Sequence, residues 1–139
     1  RAYLNIDGKL VDVTARHPLS PTPAGGAFST AGDLGRFMEA FRSGKLLRSD
    51  LVNLMTSAKI VSDAETGDRY GYGMELADAN GVRTYGHAGG FEGTAANARV
   101  FPDSGYSYTI ISNISESPEI QAELFPYIDK VVAERIKRK

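Results

Sequence analysis

One short segment has the residue types that catalysis uses: a histidine and two glycines, in His87-Ala88-Gly89-Gly90. Near neutral pH a histidine at a strand end can act as an acid, a base or an electrostatic partner. Glycines let a substrate approach the main chain, so that N–H groups can point at a developing oxyanion. The segment therefore predicts part of a hydrolytic site. A bulged, glycine-rich strand with its histidine bonded inside the core would give the same pattern.

Other site chemistries fit the sequence less well. His17 and His87 are the only histidines, and neither has two carboxylates at helical spacing beside it, so we expect no metal. The glycines of residues 24–33 precede a helix start and could bind an anion, but the segment lacks the lysine of a phosphate-binding loop. We accordingly expect no cofactor.

Size and composition limit the protein classes further. The chain has 139 residues and a net charge of −1, which predicts a single domain over residues 1–139 without a nucleic-acid partner or a membrane partner recognised by bulk charge. It has no cysteine, so disulfides, thiolate metal sites and a cysteine nucleophile are excluded. No apolar run approaches the ~18 residues that a membrane span requires.

The elements that must position this segment follow from local patterns. Asp7-Gly8 predicts the turn of a hairpin over residues 3–14, and a proline-rich loop follows at residues 16–26. Thr30 resembles the cap of a helix that ends at Gly44. That helix has an apolar face built from Leu34, Phe37, Met38 and Phe41. Ser49 is expected to cap a second helix, with Leu51, Val52, Leu54 and Met55 on its buried side.

The second half of the chain predicts a run of antiparallel strands. Alternation from Tyr70 to Leu76 indicates a strand, and Asn80-Gly81 indicates the turn to the strand that ends in His87. Two further strands lie at residues 94–101 and 106–113, joined by a turn at residues 102–105. A last helix is expected from a cap at Ser117, with a kink or break at Pro126. Strands joined by short turns, with helices grouped apart, predict an α+β fold: an antiparallel sheet with flanking helices.

Three segments, in this order, resemble the serine β-lactamase-like hydrolases. They are "PAGGAFSTAGDLGRFMEAF", "YGYGMEL" and "YGHAGGFEGTAANARVFPDSGYSYTIISN", and the resemblance covers about residues 20 to 115. This family includes class C β-lactamases, penicillin-binding D-amino-acid peptidases and esterases. The resemblance implies a partial β-lactamase-like, penicillin-binding fold.

The resemblance also implies roles for single residues. His87-Ala88-Gly89 matches the Lys/His-x-Gly triplet that lines the family's cleft on an inner strand. His87 would then act electrostatically in catalysis, and the N–H of Gly90 would form half of the oxyanion hole. Ala88 and Gly89 would contact the substrate. Ala88 lacks the hydroxyl that helps β-lactamases bind a substrate carboxylate, which favours small esters, amides or peptides over β-lactams.

The family's nucleophile is not found in this sequence. No serine is followed three residues later by a lysine; the nearest match is "TSAK", which begins with Thr56. The "YLN" of Tyr3 to Asn5 lies too close to the start to be the family's tyrosine motif. A covalent mechanism needs all of these groups.

Two hypotheses follow from the missing nucleophile. In the first, the chain is the C-terminal part of a larger serine hydrolase domain. It would be inactive alone, prone to self-association, and would have the missing N-terminal half as its partner. The alternative is a non-catalytic binding or interaction module derived from that fold. The compartment stays open: many relatives are exported to the bacterial periplasm, so the resemblance suggests a periplasmic or secreted location, while the sequence is also compatible with a cytoplasmic one.

Overall fold

The computed structural model describes residues 1–18, 20–114 and 123–138. Within these ranges lie a two-stranded sheet, a six-stranded sheet and three α-helices. The elements are, in chain order, β1 Tyr3–Ile6, β2 Lys9–Asp12, a 3-10 turn Thr14–Arg16, α1 Ala31–Arg42, α2 Ser49–Met55, β3 Ile60–Val61, β4 Arg69–Tyr70, β5 Glu75–Asp78, β6 Arg83–Phe91, β7 Thr94–Phe101, β8 Tyr106–Ser112 and α3 Phe125–Lys137. The predicted α+β fold is confirmed.

The first hairpin forms where the sequence predicts it. Strands β1 and β2 pair antiparallel, with Ile6 opposite Lys9. Asp7 and Gly8 between them have φ values of 52° and 78°, which are those of a type I′ turn. The hairpin joins the rest of the molecule through the N–H of Tyr3, which donates to the carbonyl oxygen of Asn113 at 2.9 Å.

Helix α1 begins and ends at its predicted signals. The hydroxyl of Thr30 accepts a hydrogen bond from the main-chain N–H of Asp33 at 3.0 Å, which satisfies one of the free donors of the first turn. Gly44, with φ 76°, follows the last turn and allows the chain to leave the helix. Met38 and Phe41 on the apolar face are buried, whereas Phe37 stays half exposed.

The large sheet is an antiparallel meander in the order β3-β4-β5-β6-β7-β8. Each strand pairs with the next one along the chain, so short turns suffice. One of them is the predicted Asn80-Gly81 turn, in which both φ values are positive. Strands β6, β7 and β8 are the longest, and β6 carries the His87 segment.

Three local predictions need correction. The strand expected from Tyr70 to Leu76 is interrupted, because the main chain turns away at Gly71 and Gly73 between β4 and β5. A Cβ at Gly71 would lie 2.1 Å from the carbonyl oxygen of Met55, and Gly73 has φ 68°. These glycines therefore make a tight connection rather than a continuous strand.

The helix ends also differ from expectation. Arg48 rather than Ser49 is the residue before α2, and its side chain forms no capping bond. Leu51 and Leu54 of α2 are partly exposed, so the buried side is narrower than predicted and centres on Val52. Helix α3 spans Phe125–Lys137, with Pro126 in its first turn. The kink or break expected at Pro126 depends also on the segment before it, where residues 115–122 lie outside the described residues. The cap expected at Ser117 lies outside the described residues.

Helices α1 and α3, the two longer ones, cover opposite faces of the six-stranded sheet. On one face of the sheet, residues of α1 and α2 pack against strand residues and form a hydrophobic core. Its members are Met38, Phe41, Val52, Met74, Tyr85, Ala98 and Val100. Arg99 alternates with Ala98 and Val100, and so points to the other face together with its register partner Tyr108. There Tyr108 donates a hydrogen bond to Asp129 of α3. Within the three described ranges, no helix is long and apolar enough to cross a lipid bilayer.

Candidate active site

The His87 segment lies in the middle of a regular strand. Strand β6 pairs with β7 without a break, from Tyr85 opposite Val100 to Phe91 opposite Thr94. The side chain of His87 is 52% exposed. A bulged strand with its histidine buried in the core is therefore not what this sequence forms, and His87 is available at the surface.

Two groups of the chain hydrogen-bond to the imidazole of His87. The phenol oxygen of Tyr70 lies 2.8 Å from Nε2, and the two rings meet edge to face with centroids 5.8 Å apart. On the other side of the ring, Nδ1 lies 2.5 Å from the carbonyl oxygen of Ala88. Both ring nitrogens are thus engaged, which fixes the orientation of the imidazole at the sheet surface.

A carboxylate and a guanidinium stand behind the imidazole. Glu75 Oε1 is 3.8 Å from His87 Nδ1, and Glu75 Oε2 accepts a hydrogen bond from Arg99 at 2.9 Å. Glu75 and Arg99 are both register partners of Gly86, one on each side of it. Because Gly86 has no side chain, the two longer side chains meet across its strand.

Gly86 cannot be replaced without a collision. A Cβ at this position would lie 1.9 Å from the carbonyl oxygen of Ala98. This close approach explains the glycine directly before His87. The strand carries it for packing and for the Glu75–Arg99 contact, rather than for contact with a substrate.

Arg99 belongs to a partly buried polar cluster on the α3 side of the sheet, together with Tyr108 and Asp129. Its side chain is only 13% exposed, and among the described residues its Nε and Nη1 atoms have no hydrogen-bond partner. Tyr108 donates to Asp129 at 2.9 Å nearby. Burial raises the pKa of Asp129, while the Tyr108 hydrogen bond and the positive charge of Arg99 oppose that rise. Burial, followed by the charge of Asp129, also raises the pKa of Tyr108.

The residues after His87 leave space beside it. Ala88 is partly buried, while Gly89 and Gly90 are exposed. A Cβ at Gly89 would meet nothing within 4 Å. His87, Gly89 and Phe91 share one side of the strand, so the missing side chain at Gly89 leaves a gap between an imidazole and a phenyl ring.

The second histidine has a different environment at the end of β6. His17 Nε2 lies 2.8 Å from the carbonyl oxygen of Glu92, and its ring meets Phe91 edge to face at 5.2 Å. The centroid of the exposed Phe28 ring lies 6.2 Å from that of the His17 ring. Arg16 and Glu92 form an ion pair at 2.7 Å that holds the proline-rich loop against the turn after β6. This cluster is structural and brings no nucleophile or acid to His87.

A groove of about 420 Å³ runs beside the end of α2, and its lining includes Thr56, Arg69, Leu76 and Tyr85 but not His87. Residues 1–18, 20–114 and 123–138 contain no cluster of three or more His, Asp or Glu side chains that could hold a metal ion.

The structure adds three residues to the site that the sequence did not single out: Tyr70, Glu75 and Arg99. Tyr70 and Glu75 lie in the "YGYGMEL" segment, whose alternation explains them as ordinary strand residues. Of the three, only Arg99 could have been identified from the sequence. An arginine inside the apolar strand "TAANARVF" needs a partner for its charge, which indicates a nearby acidic group.

The comparisons with known proteins agree with this architecture. The sequence model of a protein family described as Beta-lactamase matches residues 2–133. A D-stereospecific amidohydrolase from Streptomyces sp. is 30% identical, with a TM-score of 0.69 over 86% of this chain and 36% of that protein.

Two further solved structures share the fold at lower identity. The octameric penicillin-binding protein homologue from Pyrococcus abyssi is 20% identical, with a TM-score of 0.82 over 96% of this chain and 30% of its own. The D-amino acid amidase from Ochrobactrum anthropi SV3, complexed with L-phenylalanine amide, is 23% identical, with a TM-score of 0.77 over 100% of this chain and 43% of its own. The chain thus spans less than half the length of each of these proteins.

Proposed function

The chain belongs to the beta-lactamase family, and on that premise we propose that it supplies one wall of the active site of a serine hydrolase. In this proposal, strand β6 lines a cleft in which an acyl group is transferred to a serine and then to water. The serine and its activating lysine come from outside these 139 residues, because the sequence has no Ser-x-x-Lys. Alone, the chain is expected to have no hydrolytic activity.

The single observation that carries the proposal is the contact between His87 and Tyr70 at the exposed face of β6. An imidazole whose Nε2 lies 2.8 Å from a phenol oxygen, with a carboxylate 3.8 Å from Nδ1, is held in one place and can respond to charge that develops beside it. The side chain of His87 is also half exposed, so a group from outside the chain can reach the imidazole.

Gly90 is proposed to donate its main-chain N–H to the oxyanion. It lies three residues after His87 in the same strand and is exposed, as an oxyanion donor must be before substrate arrives. Ala88 and Gly89 are proposed to contact the substrate. The open space above Gly89 supports this role, because a substrate could lie directly against the main chain there.

We propose an ester, amide or peptide as the substrate class. Of the three solved structures named above, the one with the highest sequence identity is an amidohydrolase described as D-stereospecific, and another is described as a D-amino acid amidase. Ala88 has no hydroxyl with which to bind a substrate carboxylate, which favours substrates that are uncharged at this position.

Self-association of the isolated chain is part of the same proposal. Phe37 on α1 is 50% exposed and Phe28 before it is 76% exposed, so apolar surface is left uncovered. The Pyrococcus abyssi relative is described as octameric. A second copy, or the nucleophile-bearing half, would cover this surface.

The test uses a polypeptide in which the chain is joined to the Ser-x-x-Lys half of the domain. Removing one oxyanion donor typically lowers turnover by ~10²–10³, so Gly90→Pro is expected to lose about that factor. His87→Ala should also lower turnover, while the matched variant His17→Ala should not. Circular dichroism and thermal unfolding separate loss of the fold from loss of catalysis. Unchanged turnover in folded His87→Ala and Gly90→Pro would overturn the proposal and favour the binding-module alternative.

A further inference from the structure

The hydrogen-bond partners of His87 determine which of its nitrogens carries the proton. A carbonyl oxygen can only accept a hydrogen bond, and the Ala88 oxygen lies 2.5 Å from Nδ1. The proton of the neutral ring must therefore be on Nδ1. Nε2 is then left with its lone pair, and the hydroxyl of Tyr70, 2.8 Å away, must donate to it.

The carboxylate of Glu75 favours the same tautomer. Its Oε1 atom lies on the Nδ1 side of the ring, at 3.8 Å, where a negative charge stabilises an N–H dipole and disfavours a lone pair. Glu75 is itself held in place, because its other oxygen accepts a hydrogen bond from the largely buried Arg99.

From these contacts we propose that Glu75, held by Arg99, and Tyr70 are positioning residues that keep His87 in its Nδ1–H tautomer. The ring then presents Nε2 as an acceptor and has no free N–H to offer a substrate while it is neutral. A site of this kind suits an uncharged ester or amide better than a substrate carboxylate. Only this last consequence rests on the proposed function, since the tautomer is a property of the chain itself.

His17 provides an internal reference for the measurement. Its Nε2 lies 2.8 Å from the carbonyl oxygen of Glu92, so by the same reasoning its proton is on Nε2. The two histidines of the chain are therefore expected to be opposite tautomers. Histidine free in water favours the Nε2–H form, so the Nδ1–H form at His87 is the informative result.

The experiment is ¹H–¹⁵N NMR of the two imidazoles in the uniformly ¹⁵N-labelled 139-residue chain, at a mildly alkaline pH above the ordinary range of histidine titration. The nitrogen shifts should show His87 protonated at Nδ1 and His17 protonated at Nε2. Glu75→Gln and Tyr70→Phe should each shift the His87 population towards Nε2–H and leave the His17 signals unchanged. Glu92→Gln, the same substitution beside His17, should leave both histidines unchanged.

Each outcome decides the inference without any activity assay. An Nε2–H form of His87 in the wild-type chain would overturn it. A His87 signal that is the same in the wild type, Glu75→Gln and Tyr70→Phe would also overturn it. If Glu75→Gln does not fold, the dispersion of its amide spectrum will show that, and Tyr70→Phe alone then decides. The tautomer found by NMR does not depend on the result of the hydrolase assay. The tautomer proposal and the proposed function can therefore be contradicted independently of each other.

Discussion

His17 and His87 each lie beside an arginine–glutamate pair, yet the two regions differ in what those pairs can do. Near His17 the ion pair is open to water: Arg16 is 56% exposed and Glu92 47%. Near His87 the corresponding fractions are 13% for Arg99 and 32% for Glu75. The distances are nearly equal, at 2.7 and 2.9 Å, so burial rather than geometry separates the two pairs.

This difference teaches why one histidine belongs to a candidate active site and the other does not. Water and salt screen an exposed ion pair, whereas a partly buried pair is screened much less and acts more strongly on nearby groups. The ring of His17 contacts Phe28 and Phe91, which offer no proton. The ring of His87 contacts a hydroxyl and lies near a carboxylate, both of which can respond to a charge change.

We expect the largest effect from a substitution at Gly86, the glycine that lies between Glu75 and Arg99 in the His87 region. In Gly86→Ala the new Cβ would lie 1.9 Å from the Ala98 carbonyl oxygen, so β6 and β7 would have to separate. We expect a loss of about 3 kcal/mol or more in the free energy of unfolding, measured by urea denaturation. Gly89→Ala, whose Cβ meets nothing within 4 Å, is the control and should change stability by less than about 1 kcal/mol. Equal effects would contradict the packing described for this strand.

The second effect concerns the partly buried ion pair. Arg99→Met keeps most of the apolar stem but leaves the Glu75 carboxylate without its guanidinium partner. We expect a loss of about 1–3 kcal/mol in the free energy of unfolding, because a partly buried acceptor loses its charged donor. Urea denaturation at low and at high salt should show a loss that changes little with ionic strength. A wild-type stability in this variant would show that the pair contributes nothing.

A smaller effect concerns pH and the acidic group below Arg99. Because burial raises the pKa of Asp129, the folded chain binds a proton there more tightly than the unfolded chain does. The contribution of Asp129 to the free energy of unfolding should therefore fall as pH rises from the ordinary pKa of 3.8 through the raised pKa. Asp129→Asn removes this titration but keeps an oxygen that can accept from Tyr108. Relative to the wild type, the variant should gain stability with rising pH in that window, and parallel pH curves would rule the burial effect out.

The smallest effect is expected at the exposed pair. Arg16→Met should lower the free energy of unfolding by only about 0.2–1 kcal/mol, and by less at high salt, because both side chains are half exposed. The same denaturation series that serves Arg99→Met measures it. A loss as large as that of Arg99→Met would remove the distinction between the two regions.

Elements with local signals could be predicted from the sequence. The Asp7-Gly8 turn, the Thr30 cap and the strands β6, β7 and β8 depend on residues that are neighbours along the chain. The break at Gly71 was missed because it depends on the carbonyl oxygen of Met55, which only the folded chain brings close.

The candidate site could be predicted only in part, for the same reason. His87 was identified from its own neighbours, but Tyr70 is 17 residues away and reaches it only after β4, β5 and β6 have paired. The Glu75–Arg99 contact likewise needs the register of three strands and the empty position at Gly86. Periodicity identifies such residues as strand residues and gives no information about their partners.

The central claim is that this chain carries a wall of a serine hydrolase site but not the nucleophile. The most direct test is to incubate the isolated 139-residue chain with a fluorophosphonate probe and measure its intact mass, with a complete serine hydrolase of the family as the positive control. The proposed function predicts that the control gains the mass of one probe while the chain keeps its own mass. Stoichiometric labelling of one serine in the isolated chain would contradict the claim, because the chain would then possess an activated nucleophile of its own.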